Sequence, residues 1–415
     1  MRFTIFVLLG GLSILLTGFG LLGTLLGVRA TVESFSNVET GIIMAGYYAG
    51  YIIGTWSGPG IVHRVGHIRT FTAFAALGAA SSLSFGLFAN PWVWFLLRML
   101  NGASVVGVYM VVESWLNGQT PPHNRGRVFA VYMITTLLAL AGGQFLLLIY
   151  DPATLAPFAL ATVLIILAII PIAVIRITEP GIDTHEHLPL HRLFRLSPFG
   201  VAGVLGAGVV NGAFWGMTAV FGARLDMTSG EIALLMSATI LGGALLQLPI
   251  GHLSDRHDRR KVLLLVSFCA AIMACLAAYV IIKDLPGLMP VAFFYGGLMF
   301  AVYAISVAHT NDHLTPSQVL GATRGLLLLY GAGALAGPLA GGLLMDWMGP
   351  VGLPLMSAAM LFLLVAYGLF RMARRAPLPL EEQAEFVPLA RTSPMVLEMH
   401  PQADREPELD LTEPK

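Results

Sequence analysis

Long apolar stretches separated by short polar segments run along the chain up to about residue 372. Each stretch has about 20 residues, the length at which an α-helix crosses a hydrocarbon core of roughly 30 Å. The alternating pattern of a barrel strand is absent, and a segment in lipid must satisfy its own backbone polar groups, so helices are predicted. We expect an all-α integral membrane protein with twelve transmembrane helices, at residues 4–28, 40–62, 70–89, 92–115, 127–149, 157–175, 199–222, 231–251, 262–282, 289–309, 322–345 and 352–371.

The composition agrees with a protein that is mostly embedded in lipid. Hydrophobic residues make up 56% of the chain and charged residues only 11%, whereas soluble domains hold about a quarter charged residues. The net charge is zero, so no basic surface suggests nucleic acid as a partner. Cys269 and Cys275 fall on roughly opposite faces of one predicted helix, which argues against a mutual disulfide. No histidine or cysteine spacing indicates a metal site, and neither a metal nor another cofactor is expected.

Basic residues are distributed unequally between the two sides of the predicted bundle. If the N-terminus lies inside, the inner segments hold sixteen Lys and Arg residues, whereas the outer loops hold only Arg29, Arg224 and Lys283. Because inner segments of membrane proteins are enriched in basic residues, both termini are predicted to lie in the cytoplasm. The lipid bilayer is then the expected partner of the outer surface.

A polar segment at residues 176–198 divides the spans into two blocks of six. We therefore expect an N-terminal six-helix bundle at residues 1–175, a cytoplasmic central loop, and a C-terminal six-helix bundle at residues 199–372. Residues 373–415 form an acidic, proline-rich tail. This tail cannot bury enough apolar surface to fold alone, so it is predicted to be disordered in the cytoplasm.

The two blocks share short phrases at matching positions. Arg125-Gly126 opens the fifth span, and Arg324-Gly325 opens the eleventh. Related six-helix blocks around a binding site near mid-membrane are a recurring design of transporters.

The loop after the eighth span carries the most specific motif of the chain. Residues 251–260 read Gly-His-Leu-Ser-Asp-Arg-His-Asp-Arg-Arg and resemble the G-x-L-x-D-r-x-G-r-r signature of the major facilitator superfamily, with Asp258 in place of the usual glycine. The resemblance implies that this loop latches the inner gate and releases it during transport. A glycine permits close approach of helices, and a carboxylate and arginines can pair across a gate. The predicted gating residues are Gly251, Asp255, Arg256, Arg259, Arg64, Arg69, Arg125 and Arg127.

Further phrases extend the resemblance. Residues 98–102, Arg-Met-Leu-Asn-Gly, are similar to the R-x-x-q-G motif of the fourth span, whose arginine is associated with proton coupling in that family. Val-Val-Glu-Ser-Trp at 111–115 and Asn-Arg-Gly-Arg at 124–127 look like the YcaD-like branch of the superfamily. The resemblance covers residues 1–372 and implies two pseudo-symmetric six-helix bundles in a bacterial inner membrane, expected to act as a monomer.

Polar side chains within the fourth span are the foremost site candidates, because a charge inside lipid is costly. Arg98, Asn101, Tyr109 and Glu113 form a polar stripe along one side of the predicted helix. Arg98 either faces a solute cavity or extends to the outer interface. Glu113 either forms a permanent ion pair with an arginine of the inner gate or carries a proton. At 1.5 Å per residue, Arg98 and Glu113 lie about 22 Å apart, so they act at different depths.

The second block offers candidates through the resemblance, since the first, fourth, seventh and tenth spans line the cavity of the resembled fold. Asn211 and Trp215 lie one turn apart in the seventh span, and Tyr303 lies in the tenth. Each either contacts the solute or packs between helices. His309, at the inner end of the tenth span, either relays protons or is an interfacial residue.

Taken together, these features indicate a secondary active transporter that moves a small solute across the membrane by alternating access. The chain has no G-x-x-x-x-G-K-[ST] loop for a nucleotide, so a proton gradient is the expected driving force. Uptake and efflux of metabolites or drugs both stay open, and the alternative is a transport-dead membrane sensor that signals through its tail. No pair of catalytic residues occurs at a recognised spacing within the spans, so an enzyme is not expected.

Overall fold

The computed structural model describes residues 2–121, 124–174 and 188–374, together with positions 379, 383, 386, 392 and 393 of the tail. No strand occurs in these ranges, which confirms the all-α prediction. The helices are α1 Arg2–Val32, α2 Asn37–Val65, α3 His67–Leu87, α4 Pro91–Gln119, α5 Arg125–Phe145, α6 Ala156–Leu167, α7 Ile169–Val174, α8 Leu190–Leu196, α9 Pro198–Arg224, α10 Ser229–Arg256, α11 Arg259–Ile282, α12 Leu288–Asn311, α13 Pro316–Met348 and α14 Gly352–Met372.

Two groups of helices form the bundle, a first half of α1–α7 and a second half of α8–α14. Within the described residues, eleven helical segments are long and apolar enough to cross a membrane, with α6 and α7 counted as one crossing. α2 is the twelfth long helix; its many glycines and tyrosines lower its hydropathy, yet it packs along α4 and α13 inside the bundle. Residues 175–187 and most of 373–415 lie outside the described residues. The predicted domain boundaries and the predicted disorder of the tail therefore stay predictions.

Matching caps begin the second helix of each half. Ser36 and Glu39 form a capping box at α2, in which the backbone N–H of Ser36 donates to Glu39 over 2.8 Å. Thr228 and Glu231 form the same arrangement at α10, again over 2.8 Å. A reciprocal cap satisfies two N–H groups that a helix leaves unpaired at its start. The two halves thus start their second crossing by the same local chemistry.

Glycines bring corresponding helix pairs into backbone contact within each half. In the first half, a Cβ atom on Gly102 of α4 would collide with the backbone of Tyr47 in α2. In the second half, a Cβ on Gly242 of α10 would collide with the backbone of Phe293 in α12. Small residues allow such close approach between membrane helices. Each half therefore contains a pair of helices that pack with their backbones in contact.

Side chains of the second half form hydrogen bonds with the start of α2 in the first half. The end of the bundle at which α2 starts is called the far end. The opposite end, where α1 begins and α14 finishes, is called the terminal end. Asp346 of α13 accepts hydrogen bonds from the backbone N–H groups of Asn37 (3.2 Å) and Val38 (3.1 Å). Arg224 of α9 donates to the side chain of Asn37 (3.1 Å) and to the carbonyl of Phe35 (2.8 Å). The negative charge of Asp346 also interacts favourably with the positive end of the α2 dipole.

Glycines close the same end by direct contact between the halves. A Cβ on Gly41 of α2 would lie 2.5 Å from the carbonyl oxygen of Pro338 in α13. A Cβ on Gly342 of α13 would collide with the backbone of Asn37. The far end is therefore closed by backbone packing as well as by the polar contacts.

Candidate functional site

A cavity with a volume of about 180 Å³ lies between the two halves. Residues from α1, α2, α4 and α5 of the first half and from α9, α10, α12 and α13 of the second half line it, together with Thr392 of the tail. Four of the predicted pathway residues belong to this lining, namely Arg98, Asn101, Tyr109 and Trp215. The cavity spans the interface at which the halves would have to move past one another.

Arg98 supplies the positive charge of the cavity. Its side chain is only 6% exposed, and its guanidinium carbon lies 5.1 Å from the centre of the Tyr47 ring. One terminal nitrogen lies 3.3 Å from the sulfur of Met44, which is a weak acceptor. Within the described part of the chain, the Nε atom of Arg98 has no hydrogen-bond partner and no carboxylate pairs with the guanidinium. A buried guanidinium in such surroundings is chemically suited to bind an anion.

Aromatic side chains form much of the wall around this cation. Tyr47, Tyr48 and Tyr51 of α2 and Tyr330 of α13 all line the cavity. The Tyr51 and Tyr330 rings meet edge to face across the two halves, with centroids 6.4 Å apart. The sequence interpretation passed over all four, although three tyrosines within five residues of a glycine-rich span form a visible pattern. Such a wall suits a flat or apolar solute body.

Amide and hydroxyl groups give the cavity its other polar contacts. Asn101 is 1% exposed, and its side-chain nitrogen has no hydrogen-bond partner among the described residues. The hydroxyl of Thr24 in α1 donates to the side-chain oxygen of Gln144 in α5, and both residues line the cavity. Gln144 in turn donates to the backbone carbonyl of Leu140 (2.8 Å). Asn101 therefore offers a donor for a ligand, whereas Gln144 is already engaged.

Glu113 lies on the terminal side of the cavity and is fully buried. Its carboxylate accepts hydrogen bonds from the hydroxyls of Tyr132 in α5 and of Thr392 and Ser393 in the tail. The sequence could not show the two tail contacts, since about 280 positions separate the partners. The ion pair of Glu113 with an arginine of the inner gate and its role as a proton carrier both stay predictions.

Three predicted pathway residues of the second half do not line the cavity. Asn211 is fully buried, and neither its side-chain oxygen nor its nitrogen has a hydrogen-bond partner in the described ranges. Tyr303 packs edge to face on Tyr330, with ring centroids 5.1 Å apart, so it supports the wall from behind. His309 lies near the terminal end, edge to face with Phe199. The structure thus places Asn211, Tyr303 and His309 outside the wall of the cavity that contains Arg98.

The predicted gating residues comprise the buried Gly251 and Arg259, the half-buried Asp255, and a group of mostly exposed arginines. Arg259 is 1% exposed and forms ion pairs with Asp255 (3.0 Å) and Asp312 (2.6 Å) of its own half. Gly251 contacts the ring of Phe386 in the tail. The exposed members of the group are Arg64, Arg69, Arg127 and Arg256, and Arg125 is half-buried at the start of α5. The residues that join the halves at the far end, Asp346 and Arg224, were missed by the sequence interpretation, because nothing in the local pattern distinguishes them.

Comparison with known proteins gives consistent results over nearly the whole chain. The family model described as Major Facilitator Superfamily matches residues 3–228 and 201–399. An MFS-type transporter of Enterobacter sp. (strain 638) is 27% identical over 377 residues, which cover 90% of this chain and 97% of the relative. The MFS-type transporter YcaD of Escherichia coli is 26% identical over the same shares of both chains.

Solved structures of transporters share the fold. The nucleoside transporter NupG superposes with a TM-score of 0.73 at 14% identity, covering 89% of this chain and 99% of that protein. The fucose:proton symporter FucP of E. coli superposes with a TM-score of 0.55 at 14% identity, covering 88% of this chain and 98% of that protein. At these identities the likeness concerns the fold alone. Since the family model matches both halves of this helical bundle, the chain belongs to the major facilitator superfamily, as a multi-pass membrane transporter protein similar to YcaD rather than an enzyme.

Proposed function

We propose that this protein is a secondary active transporter that carries a small anionic solute with an apolar body through the central cavity, driven by protons. The membership of the superfamily supports transport, and the cavity between two pseudo-symmetric halves supports alternating access. In the proposed orientation both termini lie in the cytoplasm of a bacterium, the terminal end faces the cytoplasm and the far end faces outward. The arrangement described above, with a closed far end, then corresponds to an inward-facing form.

The observation that carries the proposal is the position of Arg98. Removing a guanidinium from water is costly unless an opposite charge or several hydrogen bonds replace the lost hydration. Around Arg98 the described residues offer the face of Tyr47 and the sulfur of Met44. A carboxylate or phosphate on the solute would supply the missing acceptors, and bidentate pairing with arginine favours such planar or tetrahedral anions.

The rest of the wall limits the solute further. The tyrosines of α2, Tyr330 and Trp215 suit an aromatic or otherwise flat apolar body, and Asn101 adds a donor beside the charge. Glu113 lies deeper toward the terminal end, where its buried carboxylate suits a proton-binding role. We therefore assign solute binding to the Arg98 region and proton binding to the Glu113 region.

A thermal-shift assay on the purified full-length protein tests the first assignment. The ligands are small aromatic carboxylates, each compared with its neutral amide. A ligand at about 100 times its Kd stabilises the folded state by about 2.7 kcal/mol, so a specific carboxylate should raise Tm clearly. Arg98→Ala should abolish that rise, and Arg98→Lys should retain part of it, since lysine keeps the charge but loses the planar fork. Arg192→Ala, which removes an exposed arginine outside the predicted gate and the cavity, is the matched control.

Flux measurements then test the transport step and its coupling. Proteoliposomes with an imposed pH gradient should accumulate the carboxylate found by thermal shift, and Glu113→Gln should leave counterflow exchange intact while removing the response to the gradient. If Arg98→Ala responds to the carboxylates as the wild type does, the binding assignment is wrong. If flux ignores the pH gradient in the wild type, proton coupling is wrong.

A further inference from the structure

Three described residues of the C-terminal tail contact the bundle at the terminal end. Phe386 meets the second half, and Thr392 and Ser393 meet the first half. From these contacts we propose that the terminal end of the cleft is a docking surface for the chain's own C-terminal segment, which bridges the two halves and holds them apart. Docking is argued from the contacts alone, whereas its effect on transport rests on the proposed function.

The first anchor lies on the last turns of α10. The backbone N–H of Phe386 donates to Oδ1 of Asp255 over 2.7 Å. Its ring lies against Gly251, where any Cβ atom would collide with the ring. Because Gly251 has no side chain, the aromatic ring of Phe386 can pack directly against the α10 backbone. The carboxylate of Asp255 holds the backbone of Phe386 by the hydrogen bond. Asp255 bonds to Arg259 through the same oxygen, so the tail joins a network that is already ordered.

The second anchor lies on α4, in the other half. The hydroxyls of Thr392 and Ser393 each donate to one oxygen of the Glu113 carboxylate, which also accepts from Tyr132. Ser393 and Glu113 are both fully buried, and Thr392 is 8% exposed. An ionised carboxylate is only an acceptor, and its burial is costly without donors. The two hydroxyls therefore add donors for a carboxylate that the bundle already contacts through Tyr132.

The two anchors together define what the tail does. Asp255 belongs to the second half and Glu113 to the first, so the described residues of the tail contact both halves. Thr392 also lines the cavity that contains Arg98, so the docked tail takes up space on the path from the solute site to the terminal end. Closing this end during alternating access would require α4 and α10 to approach, and Thr392 and Ser393, which are buried against Glu113 of α4, would have to leave first.

Alkylation of single cysteines tests docking without any knowledge of the solute. In full-length protein with Cys269→Ser and Cys275→Ser, a water-soluble maleimide is applied to Ser393→Cys or to the exposed control Pro379→Cys. If the tail is docked for most of the time, position 393 reacts at least about ten times more slowly than position 379. Adding Phe386→Ala should speed the reaction at 393 several-fold and leave 379 unchanged. Equal rates at the two positions, or a rate at 393 that ignores Phe386→Ala, would overturn the docking.

A distance measurement tests whether the tail holds the halves apart. Spin labels on Val131→Cys of α5 and Leu253→Cys of α10 report across the terminal end, and both native side chains are exposed. The triple change Phe386→Ala, Thr392→Ala and Ser393→Ala should add a population at shorter distance, because the cleft can then close. An unchanged distribution would show that the tail does not hold the cleft open.

These results are separable from the proposed transport activity. Slow alkylation at position 393 in a protein that moves none of the aromatic carboxylates would leave the docking intact and count against the proposed solute. Flux of such a carboxylate with no protection of position 393 would support transport and refute the docked tail.

Discussion

Replacing Asp346 by asparagine should loosen the closed far end of the bundle. The carboxylate uses one oxygen for the N–H of Asn37 and the other for the N–H of Val38, at 3.2 and 3.1 Å. Asparagine has the same shape but only one side-chain oxygen, so one of these two hydrogen bonds is lost. The NH₂ group of the asparagine then faces the backbone N–H of Asn37 or Val38. The interaction of the negative charge with the start of α2 is lost as well.

The size of the effect follows from these losses. One hydrogen bond to a charged group contributes about 1.5 kcal/mol, and the helix dipole about 0.5 kcal/mol. Asp346 is exposed, so solvent screening reduces the total. We expect a net loss of about 1 kcal/mol, which changes the ratio of far-end-closed to far-end-open molecules about fivefold.

Double electron–electron resonance measures that ratio directly. Spin labels on Trp92→Cys of α4 and Trp347→Cys of α13 lie at the far end on opposite halves, and both native side chains are highly exposed. Asp346→Asn should increase the long-distance population about fivefold, in line with a loss of about 1 kcal/mol. Asp284→Asn, at an exposed aspartate between α11 and α12, is the control. Identical distributions for wild type and Asp346→Asn would refute the assigned role of this carboxylate.

Three further outcomes follow from packing and charge. Gly102→Ala should lower the free energy of unfolding by about 1–3 kcal/mol through overpacking against α2. The control is Gly60→Ala, where a Cβ meets nothing within 4 Å, and Gly102→Ala should have the lower Tm of the two. Arg259→Ala should cost about 3–5 kcal/mol because it breaks the buried ion pair with Asp312 and the pair with Asp255. The exposed Arg256→Ala should cost almost nothing by the same thermal assay. Burial acts to raise the pKa of Asp258, but hydrogen bonds from the adjacent arginine outweigh it and lower the pKa. The folded state therefore keeps this carboxylate ionised to lower pH than the unfolded chain does, so the Tm advantage of wild type over Asp258→Asn should be complete near neutral pH and shrink as pH falls through the lowered pKa.

Hydropathy located the helices well because the bilayer imposes both their length and their composition. The spans predicted at 199–222 and 352–371 differ from α9 and α14 by at most two residues at either end. The span predicted at 322–345 is shorter than α13, which begins at Pro316, since the polar first turns of that helix carry no apolar signal. α2 is a long helix whose hydropathy is low for a membrane span. A helix that is buried among other helices needs less apolar surface than one in contact with lipid.

Prediction of the site residues depended on how unusual each residue is in its surroundings. Arg98 stands out because charge is rare inside a span, and the structure brings it to the cavity wall. The tyrosines of α2 were passed over because aromatic residues are common in membrane helices. The partners of Glu113 and Asp346 come from remote parts of the chain, so only the folded arrangement reveals them.

The bare backbone contact between the halves at the far end has a practical consequence. Gly41 and Gly342 leave no room for even a methyl group, so an alanine at either position acts as a wedge. Such a wedge would prevent the seal from forming and trap the molecule in its other conformation without altering any charged or cavity residue. Chemists could then raise conformation-specific antibodies or screen inhibitors against a form with an open far end, obtained by adding a single carbon atom.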